Sequence, residues 1–455
     1  MPFILILGVP TLGLVLTFGG PRFERAGFLL AGWGLALTAG LTAASGWLPT
    51  SFGPLRLDPL SLLFLLLAGV LAGIAALASS ARREGSWYSR LSAFLVLGLT
   101  LAGTSNNLVL LWAGLEAAGL AFVLLVDTRR VKASLEAAWK TALLTAGGSL
   151  SSLLALGFLV AASPRPSASW TYLAAHAHQL QPGLLAVALA LALAGFGAKL
   201  GLFPFHPWLT AAYTQAPAPA VLLSAGEIAL GLYALTRYVL LIHPVLGSVA
   251  GHLLLAAGLL SVAAGAAGLA TSRDVRQLLA YSTVEVVGWA VAGLGSGNFL
   301  GLAGALILIL FYSLAKAALF LSAEGLAGDG ELPLSSLNGL LARRPALPAV
   351  FLLVGGLAAL GLPPFPTFFG ELGILAGVFR ESPPAAALLL AASLVAFIAY
   401  LRCLTRLFHR EEPQPVARRF APGLREAAAT LSLGLLLLGT AGLVALSAVG
   451  VRAFV

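Results

Sequence analysis

The chain has 455 residues, 59% of them hydrophobic and only 9% charged, with a mean hydropathy of +0.98. A water-facing surface needs far more charge than this, which excludes a soluble enzyme or binding domain and leaves an all-α polytopic membrane protein. The net charge of +9 does not argue for nucleic acid, because the basic residues fall between apolar runs and read as topology determinants.

Taken in chain order, the apolar runs predict helices over 2–19, 27–48, 58–80, 90–105, 107–127, 135–162, 183–203, 217–241, 246–271, 277–295, 298–324, 346–378, 384–408 and 427–449. That is about 14 spans by the length needed to cross a bilayer. The first run lacks a basic leader and an A-x-A cleavage site, so it reads as a helix and not as a signal peptide. Prolines interrupt the seventh run (Pro204, Pro207) and the twelfth (Pro363, Pro364, Pro366). With the N-terminus outside, 18 Lys and Arg fall on the inner side against 5 outside, among them Arg56 and Arg237; the other three, Lys140, Lys199 and Lys316, lie inside helices. This bias places both termini on the non-cytoplasmic side of the cell membrane.

The chain also repeats itself. Residues 107–241 hold Glu116, Lys140, a proline-broken helix with Lys199, and a closing helix; residues 277–408 hold Glu285, Lys316, a broken helix with Glu371, and a closing helix. With one preceding helix each, they form two five-helix units, 90–241 and 246–408, of opposite topology. They are flanked by N-terminal helices 1–3 (1–80) and a C-terminal helix (427–449). Inverted repeats with discontinuous helices are a transporter architecture.

Ionisable groups at membrane depth cost at least a few kcal/mol each and mark ion or proton paths. Glu116 stands alone in VLLWAGLEAAGLAFVLL, and Lys199 (GFGAKLGLFPFHPWL) and Lys316 (LFYSLAKAALFL) lie deep in apolar runs. Lys140 lies one turn after Glu136, so an i,i+4 pair and snorkelling stand beside a place in a proton path. His206, at the first break, reads equally as a cap on the broken helix or as a relay. Glu371 adjoins the second break, and Glu285 lies about two turns inside its helix. Asp58 opens the third helix and reads as an N-terminal charge favoured by the helix dipole. The scattered histidines, the single cysteine (Cys403) and the lack of H-E-x-x-H, C-x-x-C or a phosphate-binding glycine loop leave no expected metal or cofactor site.

The segments LDPLSLLFLLL, WAGLEAAGLAF, EAAWK, GAKLGLFPFHPWL, SRDVRQLLAYSTVE, FYSLAKAALF and GLPPFPTFFGELGIL together resemble the antiporter-like, proton-conducting membrane subunits of the complex I superfamily (NADH:quinone oxidoreductase and Mrp antiporters). Within it, YSTVE and SLAKAALF look most like hydrogenase 4 component F and the membrane subunits of formate hydrogenlyase. The resemblance implies a 14-helix fold, a proton path through Glu116, Lys199, Lys316 and Glu371, no cofactor in this chain, and as partners other membrane subunits and a peripheral redox arm. There are departures. Ala229 occupies the position of the family's helix 8 lysine, and Glu227, two residues earlier, points about 200° away on an ideal helix. WLTAAY replaces W-L-P-D-A-H after the first break, and Tyr312 and Ser313 stand where a helix 11 histidine is often found. They leave open a water-bridged relay, conduction through one half, or a partly degenerate structural subunit. An Mrp-like cation/proton antiporter subunit without a redox partner is the rival expectation.

Overall fold

The structure is a computed structural model, which describes residues 2–46, 48–79, 86–328, 330–342 and 347–408, with 430, 431 and 434. Its helices are α1 (Pro2–Leu16), α2 (Pro21–Ala44), α3 (Pro59–Ser79), α4 (Ser86–Thr104), α5 (Leu108–Val126), α6 (Lys132–Ala161), α7 (Trp170–Ala175), α8 (Pro182–Leu200), α9 (Pro207–Gln215), α10 (Ala218–Leu246), α11 (Ser248–Thr271), α12 (Val275–Gly295), α13 (Phe299–Ala327), α14 (Leu347–Ala359), α15 (Pro366–Glu381) and α16 (Pro383–Arg406). An antiparallel hairpin, β1 (Thr50–Phe52) with β2 (Leu55–Leu57), turns at Gly53 and delivers the chain to α3.

Among the described residues, ten helices are long and apolar enough to cross a membrane. The other expected spans fall on the short α1, on α4, on the discontinuous pair α14 and α15, and on 427–449, which lies outside the described residues apart from 430, 431 and 434. Arg82, Arg83, Arg343, Arg344, Arg410, Arg418, Arg419, Arg425 and Arg452 of the charge count also lie outside them.

Residues 1–257 and 258–455 form two compact units. In the first, α10 is the central helix, its most apolar stretch wholly buried. In the second, α12 holds that place, 94% buried. Both carry a buried acid, Glu227 in the third turn of α10 and Glu285 at the middle of α12.

Each unit contains one broken helix, and the two breaks are built alike. α8 stops at Leu200 because Gly201 adopts φ 69°, a left-handed conformation that only glycine takes at no steric cost. The Leu202 and Gly201 amides then donate to the Gly197 and Ala198 carbonyls, closing a Schellman motif. In the second unit Gly361 (φ 61°), Leu362 and the carbonyls of Leu357 and Ala358 repeat the pattern. In both, one of these carbonyls takes a side chain as a second donor: Trp208 Nε1 donates to Ala198 O at 2.7 Å, and Thr367 Oγ1 to Ala358 O at 2.6 Å. Two of the carbonyls freed at each break, Gly197 and Ala198 in the first and Leu357 and Ala358 in the second, thus find donors within the protein.

Candidate functional site

In the first unit, the Lys199 ammonium lies between two carboxylates: Nζ is 3.1 Å from Glu116 Oε1 and 3.3 Å from Glu227 Oε1. The three groups come from α8, α5 and α10. Lys199 and Glu227 are 5% and 4% exposed, and Glu116 is half-buried. The lysine occupies the last turn of α8, where the helix dipole also favours a cation. Gly119, three residues after Glu116, makes room for the trio: a Cβ there would lie 2.9 Å from Nζ and 3.0 Å from Glu227 Oε1. Glu227 is the member that sequence reasoning sets aside. Its angle is measured there against Ala229, whereas the relevant neighbour is α8; the available signal is an isolated acid in an apolar run.

In the second unit, Lys316 of α13 is 3% exposed and makes no ion pair among the described residues. Its Nζ donates to Ser282 Oγ of α12 at 2.8 Å and sits 5.4 Å and 5.2 Å from the ring centres of Tyr312 and Phe320. Glu285 is buried and accepts from Trp289 Nε1 at 2.9 Å. It is the eleventh residue of α12, mid-helix, because the helix begins two residues before the expected start. Glu371 lies in the second turn of α15, its carboxylate against Gly361, where any Cβ would collide with it.

Two other expected site residues have different settings. Lys140 is exposed on α6 and pairs with Glu136 at 2.6 Å, the i,i+4 geometry open from spacing. His206 is half-buried, precedes the first residue of α9 and stacks on Phe203 with ring centres 5.8 Å apart.

Asp58 does more than cap a helix, and Arg237 is not an outer-loop charge. Arg237 of α10 is 5% exposed, and its Nη2 donates to both Asp58 oxygens at 2.6 Å and to Ser61 Oγ at 3.2 Å. Asp58 also accepts from the Ser61 amide at 2.9 Å and from Arg56 Nε at 3.2 Å. Burial alone would raise the Asp58 carboxyl, but the Arg237 guanidinium and these hydrogen bonds outweigh it and hold the group below the usual carboxylate range. The guanidinium lies over the Trp170 and Tyr233 rings, at 4.6 Å and 4.9 Å. Sequence alone gives no depth for Arg237, which is why it counts there as a loop charge.

Two discontinuous helices with ionisable side chains beside their breaks define a multi-pass membrane protein of the transporter type. The comparisons sharpen this. The profile of the NADH:quinone oxidoreductase/Mrp antiporter transmembrane family matches residues 105–398, so the chain belongs to that family. It is 33% identical over 350 residues to a hydrogenase-4 component F homolog of Methylacidiphilum infernorum, covering 74% of this chain and 73% of that one. It is 33% identical over 412 residues to NADH-quinone oxidoreductase subunit 14 of Thermus thermophilus, covering 89% of each. A chain of respiratory complex I from Thermus thermophilus with bound aureothin superposes with a TM-score of 0.84 at 28% identity, over 98% of this chain and 99% of that one.

Proposed function

We propose that the chain is a proton-translocating membrane subunit of a multisubunit respiratory oxidoreductase of the membrane-bound hydrogenase or NADH:quinone oxidoreductase type. The observation that carries this reading is Lys199 held between Glu116 and Glu227. Fully ionised, the trio has one positive and two negative charges, so it takes up one proton to reach neutrality. A cluster with that spare capacity, buried beside a broken helix, is neutral when it holds the proton and carries one negative charge when it has released it, so a proton is held there without placing positive charge in the membrane. Glu285, Lys316 and Glu371 form the second proton site, His206 serves the first break, and Lys140 with Glu136 lies on the outer face of α6. Redox chemistry in partner subunits supplies the energy, and the relatives' names support that class of assembly. With the buried Arg237 set aside, the excess of 18 inner over about 4 outer basic residues supports both termini on the non-cytoplasmic side, and the matching breaks support two repeats over 90–241 and 246–408.

The test is Lys199→Ala in the assembled complex, reconstituted in vesicles with a pH-sensitive dye. Redox turnover should continue while coupled proton movement is lost; unchanged pumping overturns the reading. Because the family also contains Mrp antiporters, the same vesicles should be assayed with and without Na⁺. Flux that requires Na⁺ and no electron donor assigns the chain to cation/proton exchange.

A further inference from the structure

The second lysine has no carboxylate clamp of the kind that holds Lys199. Its only oxygen partner among the described residues is Ser282 Oγ, and that oxygen is heavily subscribed. Lys316 Nζ reaches it at 2.8 Å, Tyr312 Oη at 2.7 Å and Tyr400 Oη at 2.7 Å, while the Ser282 hydroxyl itself donates to Leu279 O at 2.9 Å. The four side chains come from α12, α13 and α16, and all are buried, with Ser282 fully so.

A serine hydroxyl has one hydrogen to give and two lone pairs to accept with. With Lys316 charged, an ammonium and two phenols make three donors for two lone pairs. One tyrosine must therefore turn aside, and the acceptor available to it is the hydroxyl of the other tyrosine, since both phenols reach the same Ser282 oxygen at 2.7 Å. With Lys316 neutral, the amine has a lone pair of its own. Ser282 then rotates its hydrogen from Leu279 O to Nζ and accepts from both tyrosines. Each state satisfies every buried hydroxyl, and the two differ by a hydroxyl rotation and the aim of one phenol.

We infer that Ser282 is a positioning residue that couples the protonation of Lys316 to the hydrogen bonding of Tyr312 and Tyr400, so that the lysine changes charge without leaving a buried hydroxyl unpaired. This rests on the proposed proton-carrying role of Lys316. Unpaired buried groups cost about 1–3 kcal/mol in general, and the rearrangement avoids that cost in both states. The ionisable groups facing the cluster are Glu285 on α12, Tyr312 on α13, and Tyr400 and Cys403 on α16, and Glu285 is in turn within electrostatic reach of Glu371 on α15.

The chain contains only four lysines, Lys132, Lys140, Lys199 and Lys316, and eight tyrosines. This makes the idea directly measurable by solid-state NMR of the full chain in lipid, with ¹⁵Nζ-lysine and ¹³Cζ-tyrosine labels, Lys316→Met assigning the lysine, and Tyr312→Phe and Tyr400→Phe assigning the phenols. As pH is scanned, the Tyr312 or Tyr400 signal should step at the same midpoint as the Lys316 signal. Ser282→Ala should abolish the step, and Ser282→Thr, which keeps the hydroxyl, should retain it. A tyrosine step that survives Ser282→Ala, or no step in the wild-type chain, overturns the inference. If Ser282→Ala does not fold, Tyr400→Phe serves in its place: it should shift the Lys316 midpoint, and an unshifted midpoint overturns the inference. Proton flux through the assembled complex is read separately. Coupled NMR steps alongside unimpaired flux in Lys316→Met would leave the hub standing and refute only the proton-carrying role.

Discussion

Replacing Asp58 by Asn removes the charge that Arg237 is paired with and leaves the guanidinium buried. Breaking a buried pair by removing one partner generally costs about 3–5 kcal/mol. Here the low end applies, about 3 kcal/mol, because Ser61 Oγ and the Trp170 and Tyr233 rings stay in contact with Arg237. For 455 residues, unfolding entropy of soluble-protein size converts this to a loss of about 3 °C. Helices that persist in detergent lower that entropy and enlarge the shift. The assay is thermal unfolding in mild detergent, followed by size-exclusion fluorescence, for Asp58→Asn, Arg237→Gln and the double variant. The double variant should be less destabilised than the sum of the singles. The pH dependence has a definite sign. Asp58 is held below its ordinary value, so its contribution is complete above about pH 4 and is lost as pH falls through the depressed folded value. The wild type and Asp58→Asn should therefore converge in strong acid. Additive single effects, or a wild-type advantage that grows in acid, would refute the reasoning.

Gly119→Ala places a methyl group 2.9 Å from Lys199 Nζ and 3.0 Å from Glu227 Oε1, tighter than carbon contacts allow. The pair must open by several tenths of an ångström, and the expected result is about a tenfold fall in proton flux, equivalent to about 1.4 kcal/mol, with the chain still folded by size exclusion. Glu227→Gln should slow dye-reported proton uptake as much as Glu116→Gln does, since both carboxylates touch the same ammonium; a silent Glu227→Gln would remove it from the site. Gly361→Ala combines a left-handed backbone with a collision against the Glu371 carboxylate. It should cost at least about 1–2 kcal/mol, seen as a lower midpoint of thermal unfolding and as flux impaired to the level of Glu371→Gln.

The sequence discloses elements more readily than partners. Membrane spans are legible because about 20 consecutive apolar residues have few other uses, and the breaks are legible because proline cannot continue a helix. Glu116, Lys199, Lys316 and Glu371 stand out for the same reason, each an expensive group in an apolar run. What stays hidden is pairing. Whether Glu227 reaches Lys199 depends on how α10 rotates against α8, and the angle to Ala229 carries no information about that. Arg237 lies in an apolar helix near a polar segment, and only the arrival of Asp58 from the hairpin side shows it to be buried. Ser282 carries no signal at all, since a serine in a membrane helix is commonplace and its importance comes from two tyrosines, one of them 118 residues away. The short α9 and the hairpin escape notice because they are shorter than a bilayer-length window.

The paired helix breaks carry a further consequence. Leu-Gly-Leu-x-Pro-Phe spans both, and residue by residue the second lies 160 positions after the first. In this register Ala359 occupies the position of Lys199. The turn is therefore made by glycine, proline and one capping side chain, independently of whether the last helical turn is charged. Backbone socket and ionic insert are separable parts, and a lineage can move, delete or duplicate the charge without redesigning the fold that receives it.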